Sequence, residues 1–198
     1  MRVIAWAPLA LVLALAPSVA AAQITYVSHD HVRYRPFQLG VSAIGGFQVH
    51  TDQSPAPVDG MMRVGLDLLG SLTPGVAIGV TRLGLSYGYS SIEGPLFGVN
   101  ATPTVEFAFF VGGHTQLLMQ LGATLSFGTA TAIRPVSFDA AATGVLGARW
   151  WLGNLISLGL LVGVDVGLTR PGVRPWFGGP LSQGEPAVFL GLELGFHL

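Results

Sequence analysis

The sequence has 198 residues, of which 51% are hydrophobic and 10% charged, with a formal net charge of −1 and no cysteine. That length suits one domain. The lack of cysteine excludes a disulfide framework, a thiolate metal site and a cysteine nucleophile, and the near-neutral charge excludes a basic nucleic-acid-binding surface.

The chain opens on Met1-Arg2, an apolar run from Val3 to Ala16, and then Pro17-Ser18-Val19-Ala20-Ala21-Ala22. A basic start, a short hydrophobic stretch and small residues before the cut make a secretory signal, with cleavage expected after Ala22. The run is shorter than the ~20 residues a spanning helix needs. Residues 1–22 thus read as a signal peptide, 23–36 as a periplasmic tail and 37–198 as the folded part.

In that part the apolar residues follow a period of two, the pattern of strands of about 9–11 residues that face lipid on one side. Phe37, Leu39, Val41, Ala43, Phe47 and Val49 alternate with Gln38, Ser42, Gln48 and His50. A second segment sets Met62, Val64, Leu66, Leu68 and Leu72 against Arg63, Asp67 and Ser71, and ends at Thr73-Pro74-Gly75. The third, Val76 to Ser90, changes phase between Val80 and Leu83, which predicts a bulge at Thr81-Arg82. The fourth alternates from Phe97 to Val111 around Asn100, Thr102, Thr104 and Glu106, with Pro103 withholding one ladder donor.

The fifth puts Leu117, Met119, Leu121, Leu125 and Phe127 outside, against Gln116, Gln120, Thr124 and Ser126. The sixth, Val136 to Leu152, turns Ser137, Asp139, Thr143 and Arg149 inward. The seventh sets Ile156, Leu158, Leu160, Val162, Val164, Val166 and Leu168 against Ser157, Asp165 and three glycines. The eighth alternates from Leu190 to Leu198 around Glu193 and His197. Connections alternate long and short, as in bacterial barrels with long external loops and tight periplasmic turns. Outward aromatics then collect at both strand ends: Phe47, Tyr87, Tyr89, Phe97, Phe127 and Phe138 outside, and Phe37, Phe107, Phe109, Trp150 and Phe196 at the periplasmic side.

The expected fold is therefore all-β: a closed antiparallel up-and-down transmembrane barrel of about eight strands, integral to a bacterial outer membrane. A polytopic helical protein would bury charges and glycine pairs on helices whose apolar residues lack the 3.6 period. A soluble sandwich would not carry apolar outer faces on nearly every strand.

By pattern this architecture resembles the small eight-stranded outer-membrane barrels, the class of the outer membrane protein A transmembrane domain and outer membrane protein X. In that light Leu190, Leu192, Leu194, Phe196 and Leu198 look like the C-terminal signal read by the barrel-assembly machinery, with Leu194, Phe196 and Leu198 its core. The chain departs from the usual form by ending in Leu198, with the aromatic two positions earlier. The His-x-Ser-Asn pattern of lipid A deacylase barrels is absent.

Eight charges fall on inward positions: Arg63, Asp67, Arg82, Glu106, Asp139, Arg149, Asp165 and Glu193. Unpaired buried charge costs several kcal/mol per ion, so these are expected to form a paired network. Arg82 is expected to bind two or more of Asp67, Glu106 and Glu193, and these four with Arg149 are expected to meet near the periplasmic end. The network serves as a structural plug, or alternatively as the gate of a narrow cation-favouring conduit.

Between Thr169 and Pro186, Arg170, Arg174, Trp176 and Phe177 have the chemistry to touch lipopolysaccharide, through guanidinium on phosphate and aromatics in the headgroup layer. His29-Asp30-His31 could offer a divalent metal two imidazoles on one side of an extended segment, but without a further ligand it is a weak site and reads as a solvated tail, so no metal is expected. No catalytic triad emerges, and neither a cofactor nor a nucleic-acid partner is expected. The leading functional expectation is a non-enzymatic barrel, structural or surface-interacting; a small-solute channel and a lipid-modifying barrel enzyme are the alternatives. The expected partners are outer-membrane lipid, lipopolysaccharide and the assembly machinery.

Overall fold

A computed structural model of the chain describes residues 36–48, 58–90, 94–111, 113–130, 137–168 and 186–198. Eight strands follow one another: β1 (Phe37–Gln48), β2 (Val58–Thr73), β3 (Val76–Ser90), β4 (Gly94–Phe110), β5 (Thr115–Ala130), β6 (Ser137–Leu152), β7 (Ile156–Gly167) and β8 (Pro186–His197). Each pairs antiparallel with its neighbour in sequence, and β1 pairs with β8 from Gln38↔His197 to Gln48↔Ala187, closing the barrel. Closure leaves no free sheet edge, which a hydrocarbon environment demands. The seam is finished by Leu198 N–H donating to the Phe37 carbonyl at 2.9 Å.

The alternation of the sequence is the alternation of the wall. On β7 every second residue from Ser157 is buried while Ile156, Leu158, Leu160 and Val162 are exposed, and β8 repeats the pattern with Leu190, Leu192, Leu194 and Phe196 outside. Exposing that much leucine and valine to water would be unfavourable on every strand, so the outer surface is a lipid-facing band. Ten of the eleven expected girdle aromatics are exposed; Phe107 is half-buried. Two pairs meet across strands, Tyr87 edge-on to Phe97 at 5.2 Å and Phe127 tilted against Phe138 at 4.8 Å between ring centroids.

Several strand ends differ from the sequence expectation. β8 starts at Pro186 rather than Leu190, which brings Ala187 and Phe189 onto the inner face, and β5 runs on to Ala130. The expected first-strand positions Val49 and His50 lie outside the described residues. The turns 74–75, 111–114 and 153–155 join strands at the end where Phe37 and His197 sit, and the segments 49–57, 91–93, 131–136 and 168–185 join them at the other.

The predicted bulge is present. Leu66 pairs Leu83 and Leu68 pairs Val80, so Thr81 and Arg82 together oppose Asp67 alone. Both bulge residues point inward, each 2% exposed, and Arg82 adopts a left-handed backbone with φ 53°. Its main chain intrudes over Gly65, where a Cβ would stand 2.7 Å from the Arg82 carbonyl carbon. Glycine is what lets that approach occur.

Candidate functional site

Two polar layers and one apolar cluster fill the interior. The layer toward the short-turn end is organised by Arg149 of β6. Its register partner on β7 is Gly159, which in turn pairs Glu193 of β8. With no side chain at Gly159, where a Cβ would come within 3.1 Å of the Glu193 Cβ, the guanidinium reaches across to the carboxylate two strands away. Arg149 Nε and Nη2 donate to Glu193 Oε1 at 3.2 and 2.8 Å, and Nη1 and Nη2 donate to Glu106 Oε1 and Oε2 at 3.0 Å each. A further Nη1 bond reaches Gln116 Oε1 at 3.2 Å. These five bonds match the five N–H donors of a guanidinium. Gln120 donates to Glu106 at 2.9 Å and Gln38 to Glu193 at 3.0 Å.

Higher in the barrel, Arg63 of β2 pairs with Asp165 of β7 at 2.7 Å. Asp165 also ends a belt of hydroxyls: Thr143 donates to it at 2.7 Å, and Thr143–Thr124 and Thr124–Thr102 contacts follow at 2.7 and 2.9 Å. An ionised carboxylate only accepts, so the direction of the whole belt is fixed, each threonine donating toward β7. On the opposite wall Asp67 Oδ1 accepts from the Arg82 main-chain N–H at 2.6 Å and from Ser42 at 3.1 Å.

Beside these layers lies an apolar cluster of Ile44, Met61, Leu118, Val145, Leu161, Ala187 and Phe189, in which Leu118 stands between Gln116 and Gln120 on β5 and Ile44 pairs Arg63 in register. Phe189 is 1% exposed and lies over Gly163, where a Cβ would be 2.3 Å from its Cζ. The glycine is the seat of the ring, the arrangement that offsets the cost of glycine in a barrel strand.

Arg63, Asp67, Arg82, Glu106, Arg149, Asp165 and Glu193 all point into the barrel and are 3% exposed or less. Glu106, Arg149 and Glu193 come together directly, as expected, whereas Arg82 reaches them only through Gln120, which also donates to Glu106, and Asp67 is joined through the Arg82 main chain. Arg63 and Asp165 pair apart from them. The expected pairing of Arg82 with two or more of Asp67, Glu106 and Glu193 is also corrected. Its guanidinium Nη2 donates to Thr81 at 2.9 Å and Gln120 at 3.4 Å, and among the described residues it forms no ion pair. The left-handed bulge explains this, because it turns the backbone N–H rather than the side chain toward Asp67. The Arg82 carbonyl is held in turn by the Asn100 amide. Asp139 pairs Ser126 in register; its side chain lies outside the described ones.

Arg170, Arg174, Trp176 and Phe177, with His29, Asp30 and His31, lie outside the described residues. Among those described, no group of three His, Asp or Glu is arranged to hold a metal. Leu194, Phe196 and Leu198 face outward along the β1–β8 seam.

The mouth at the short-turn end holds features the alternation did not single out. His197 Nε2 lies 2.8 Å from Ser157 Oγ, and its ring stacks on buried Trp151 at 4.0 Å. A half-open cavity of about 70 Å³ is lined there by Gln38, Glu106, Phe110, Gln116, Trp151 and His197 among others. Trp151 directly follows the outward Trp150, so its parity was the available signal. The same holds for Ile44, Leu118, Val145 and Leu161, apolar residues at inward positions.

No protein-family model and no characterised protein matches the sequence. Comparison of folds does find matches. Neisserial surface protein A is similar over 82% of this chain and 97% of its own, with a TM-score of 0.59 at 8% sequence identity. The outer membrane protein OprG of Pseudomonas aeruginosa aligns over 82% of this chain and 96% of its own, with a TM-score of 0.49 and 10% identity. The N-terminal barrel domain of OprF from the same organism aligns over 80% and 97%, with a TM-score of 0.43 and 15% identity. The first likeness gives the fold, and the apolar exterior with its aromatic girdles gives the solvent. The chain is an integral β-barrel of the small outer-membrane kind.

Proposed function

We propose that this chain is a non-enzymatic outer membrane barrel with a sealed interior, structural or surface-interacting in role, whose external segments meet the cell surroundings. The observation that carries this reading is the interior fill. Hydrogen-bonded polar layers and the Ile44–Phe189 cluster fill the lumen side by side, and Arg63, Arg82, Arg149, Phe189, Ile44, Leu161 and Val145 are among the most fully buried side chains. An eight-stranded wall encloses only enough space for side chains to fill, and these fill it.

The enzyme alternative draws little support from the hydrogen-bonded Ser157–His197 pair. Both residues are buried, at 0% and 4% exposure, and they sit at the short-turn mouth, far from the outer-leaflet rim where a lipid-modifying barrel would work. The proposal extends to partners: Arg170, Arg174, Trp176 and Phe177 would contact lipopolysaccharide phosphate and headgroups, and the Leu194-Phe196-Leu198 face of β8 would be read by the assembly machinery.

The test is conductance of the refolded protein in a planar bilayer. A silent bilayer at protein levels that give steps with a general porin is the expected result. Discrete, cation-selective steps would overturn the sealed-barrel reading in favour of a pore.

A further inference from the structure

The charged layer at the short-turn end fixes which way the amides around it face. Gln38 of β1 donates through Nε2 to Glu193 at 3.0 Å, and Gln116 of β5 accepts through Oε1 from Arg149 at 3.2 Å. A carboxylate only accepts and a guanidinium only donates, so neither amide can turn over without losing its bond. The remaining end of Gln38 is therefore its carbonyl Oε1, and that of Gln116 its Nε2–H group; neither makes a hydrogen bond among the described residues. Gln120 differs, because its Nε2 donates to Glu106 and its Oε1 accepts from Arg82, which engages both ends.

Gln38 and Gln116 line the cavity of about 70 Å³ at the short-turn mouth. β1 and β5 stand opposite each other in the closed ring, so the two remaining amide ends face one space from opposite walls. Glu106 and Arg149 line it as well, but they are occupied with each other: both Glu106 oxygens accept from the guanidinium at 3.0 Å each, and its other donors go to Glu193 and Gln116. The lining thus offers an occupant hydrogen bonds rather than a free charge. Trp151 adds a donor, since it is 8% exposed and its Nε1–H has no acceptor among the described residues. A buried donor without a partner is costly and calls for an acceptor. Phe110, Trp151 and His197 make one side aromatic, at centroid distances of 6.2 and 4.0 Å, a surface on which a flat group packs. At about 10–15 Å³ for each water-sized occupant, the cavity takes roughly five non-hydrogen atoms.

We propose that the short-turn mouth of the barrel is a binding site for a compact neutral primary amide. Its carbonyl oxygen accepts from Gln116 Nε2 and Trp151 Nε1, its N–H group donates to Gln38 Oε1, and its plane lies along the aromatic side. Charged molecules of the same shape do not match this set. An amidinium has no acceptor for the two donors, and a carboxylate has no donor for Gln38 and meets Glu106 at the wall. The site needs no open lumen, so it stands or falls separately from the conductance of the barrel.

The experiment follows the indole N–H resonance of Trp151, assigned by its loss in Trp151→Phe, in the refolded protein in detergent micelles. Acetamide, acetamidinium chloride and sodium acetate, which share a shape and differ in charge and donors, are titrated at constant ionic strength. A saturable shift with acetamide alone is the expected result, with its affinity weakened about tenfold in Gln116→Met and in Gln38→Met, the worth of one hydrogen bond. No saturation with acetamide, or saturation at similar concentrations with acetamidinium or acetate, overturns the proposal. An acetamide affinity unchanged in both variants overturns it too. The comparison of the three probes uses the parent protein alone, so it decides the matter whether or not the variants fold.

Discussion

At the scale of single residues, the three inward arginines illustrate how differently buried charges can be held. Arg149 sits between two carboxylates with every donor engaged, so removing it strands two negative charges in a low-dielectric interior. Breaking a buried pair in this way costs about 3–5 kcal/mol. Arg149→Met should therefore lower the stability of the barrel in urea unfolding by that much, and adding Glu106→Gln and Glu193→Gln should recover most of it. A stability within about 1 kcal/mol of the parent would mean the layer is not a bonded unit. Arg82 is the contrasting case. Its left-handed backbone costs about 1–2 kcal/mol for any residue with a Cβ, and its Nε and Nη1 find no acceptor among the described residues. Arg82→Gly relieves the backbone while keeping the N–H that Asp67 accepts, so its stability should stay within about 1 kcal/mol of the parent. The loss of the guanidinium contact with Phe189, 5.8 Å from its ring centroid, limits any gain. Parity alone was enough to send all of these charges inward. It could not say which would meet, because that depends on gaps such as Gly159 and on a bulge that presents a backbone group where a side chain was expected.

At the scale of elements, the period of two identified every strand, its outward face and the phase change at Thr81-Arg82, because each depends only on local alternation. It was weaker where an element begins inside apolar sequence. Pro186 to Phe189 precedes the clear Leu190–Leu198 run, and pairing with β7 from Gly163↔Phe189 to Val166↔Pro186, and with β1 from Gly46↔Phe189 to Gln48↔Ala187, draws it into the wall. The Gly163↔Phe189 pair couples a large residue to a missing one. A Cβ at position 163 would fall 2.3 Å from Phe189 Cζ and 2.8 Å from the Gly144 carbonyl oxygen, so Gly163→Ala should overpack the cluster. Overpacking of this kind costs about 1–3 kcal/mol. Replacing Phe189 with Leu removes the ring, and the double variant should be less destabilised than the sum of the two single ones. A double-mutant cycle on urea midpoints measures the difference. Strict additivity would show that the ring does not rest on Gly163.

At the scale of the whole molecule, barrel closure, an apolar band and a polar filling are three aspects of one constraint: backbone groups in hydrocarbon must be paired within the wall, and side chains must match the solvent on each side. The band therefore has a depth profile that single outward substitutions can read. Leu192 is 64% exposed at the middle of β8, beside Ala43 and Leu160, whereas Leu152 is 57% exposed at the short-turn end of β6. Their similar exposure means that depth, rather than accessibility, separates the two sites. An arginine at the midplane of a barrel costs about 2–4 kcal/mol, and one near the interface about 0–1. In equilibrium folding into lipid vesicles followed by urea titration, Leu192→Arg should lose the larger amount and Leu152→Arg the smaller. In a detergent micelle, where the apolar layer adapts around the charge, the gap between the two should narrow. Equal losses in vesicles would mean that the exposed leucines do not face a bilayer of fixed thickness, and the orientation of the barrel inferred from its girdles would be wrong.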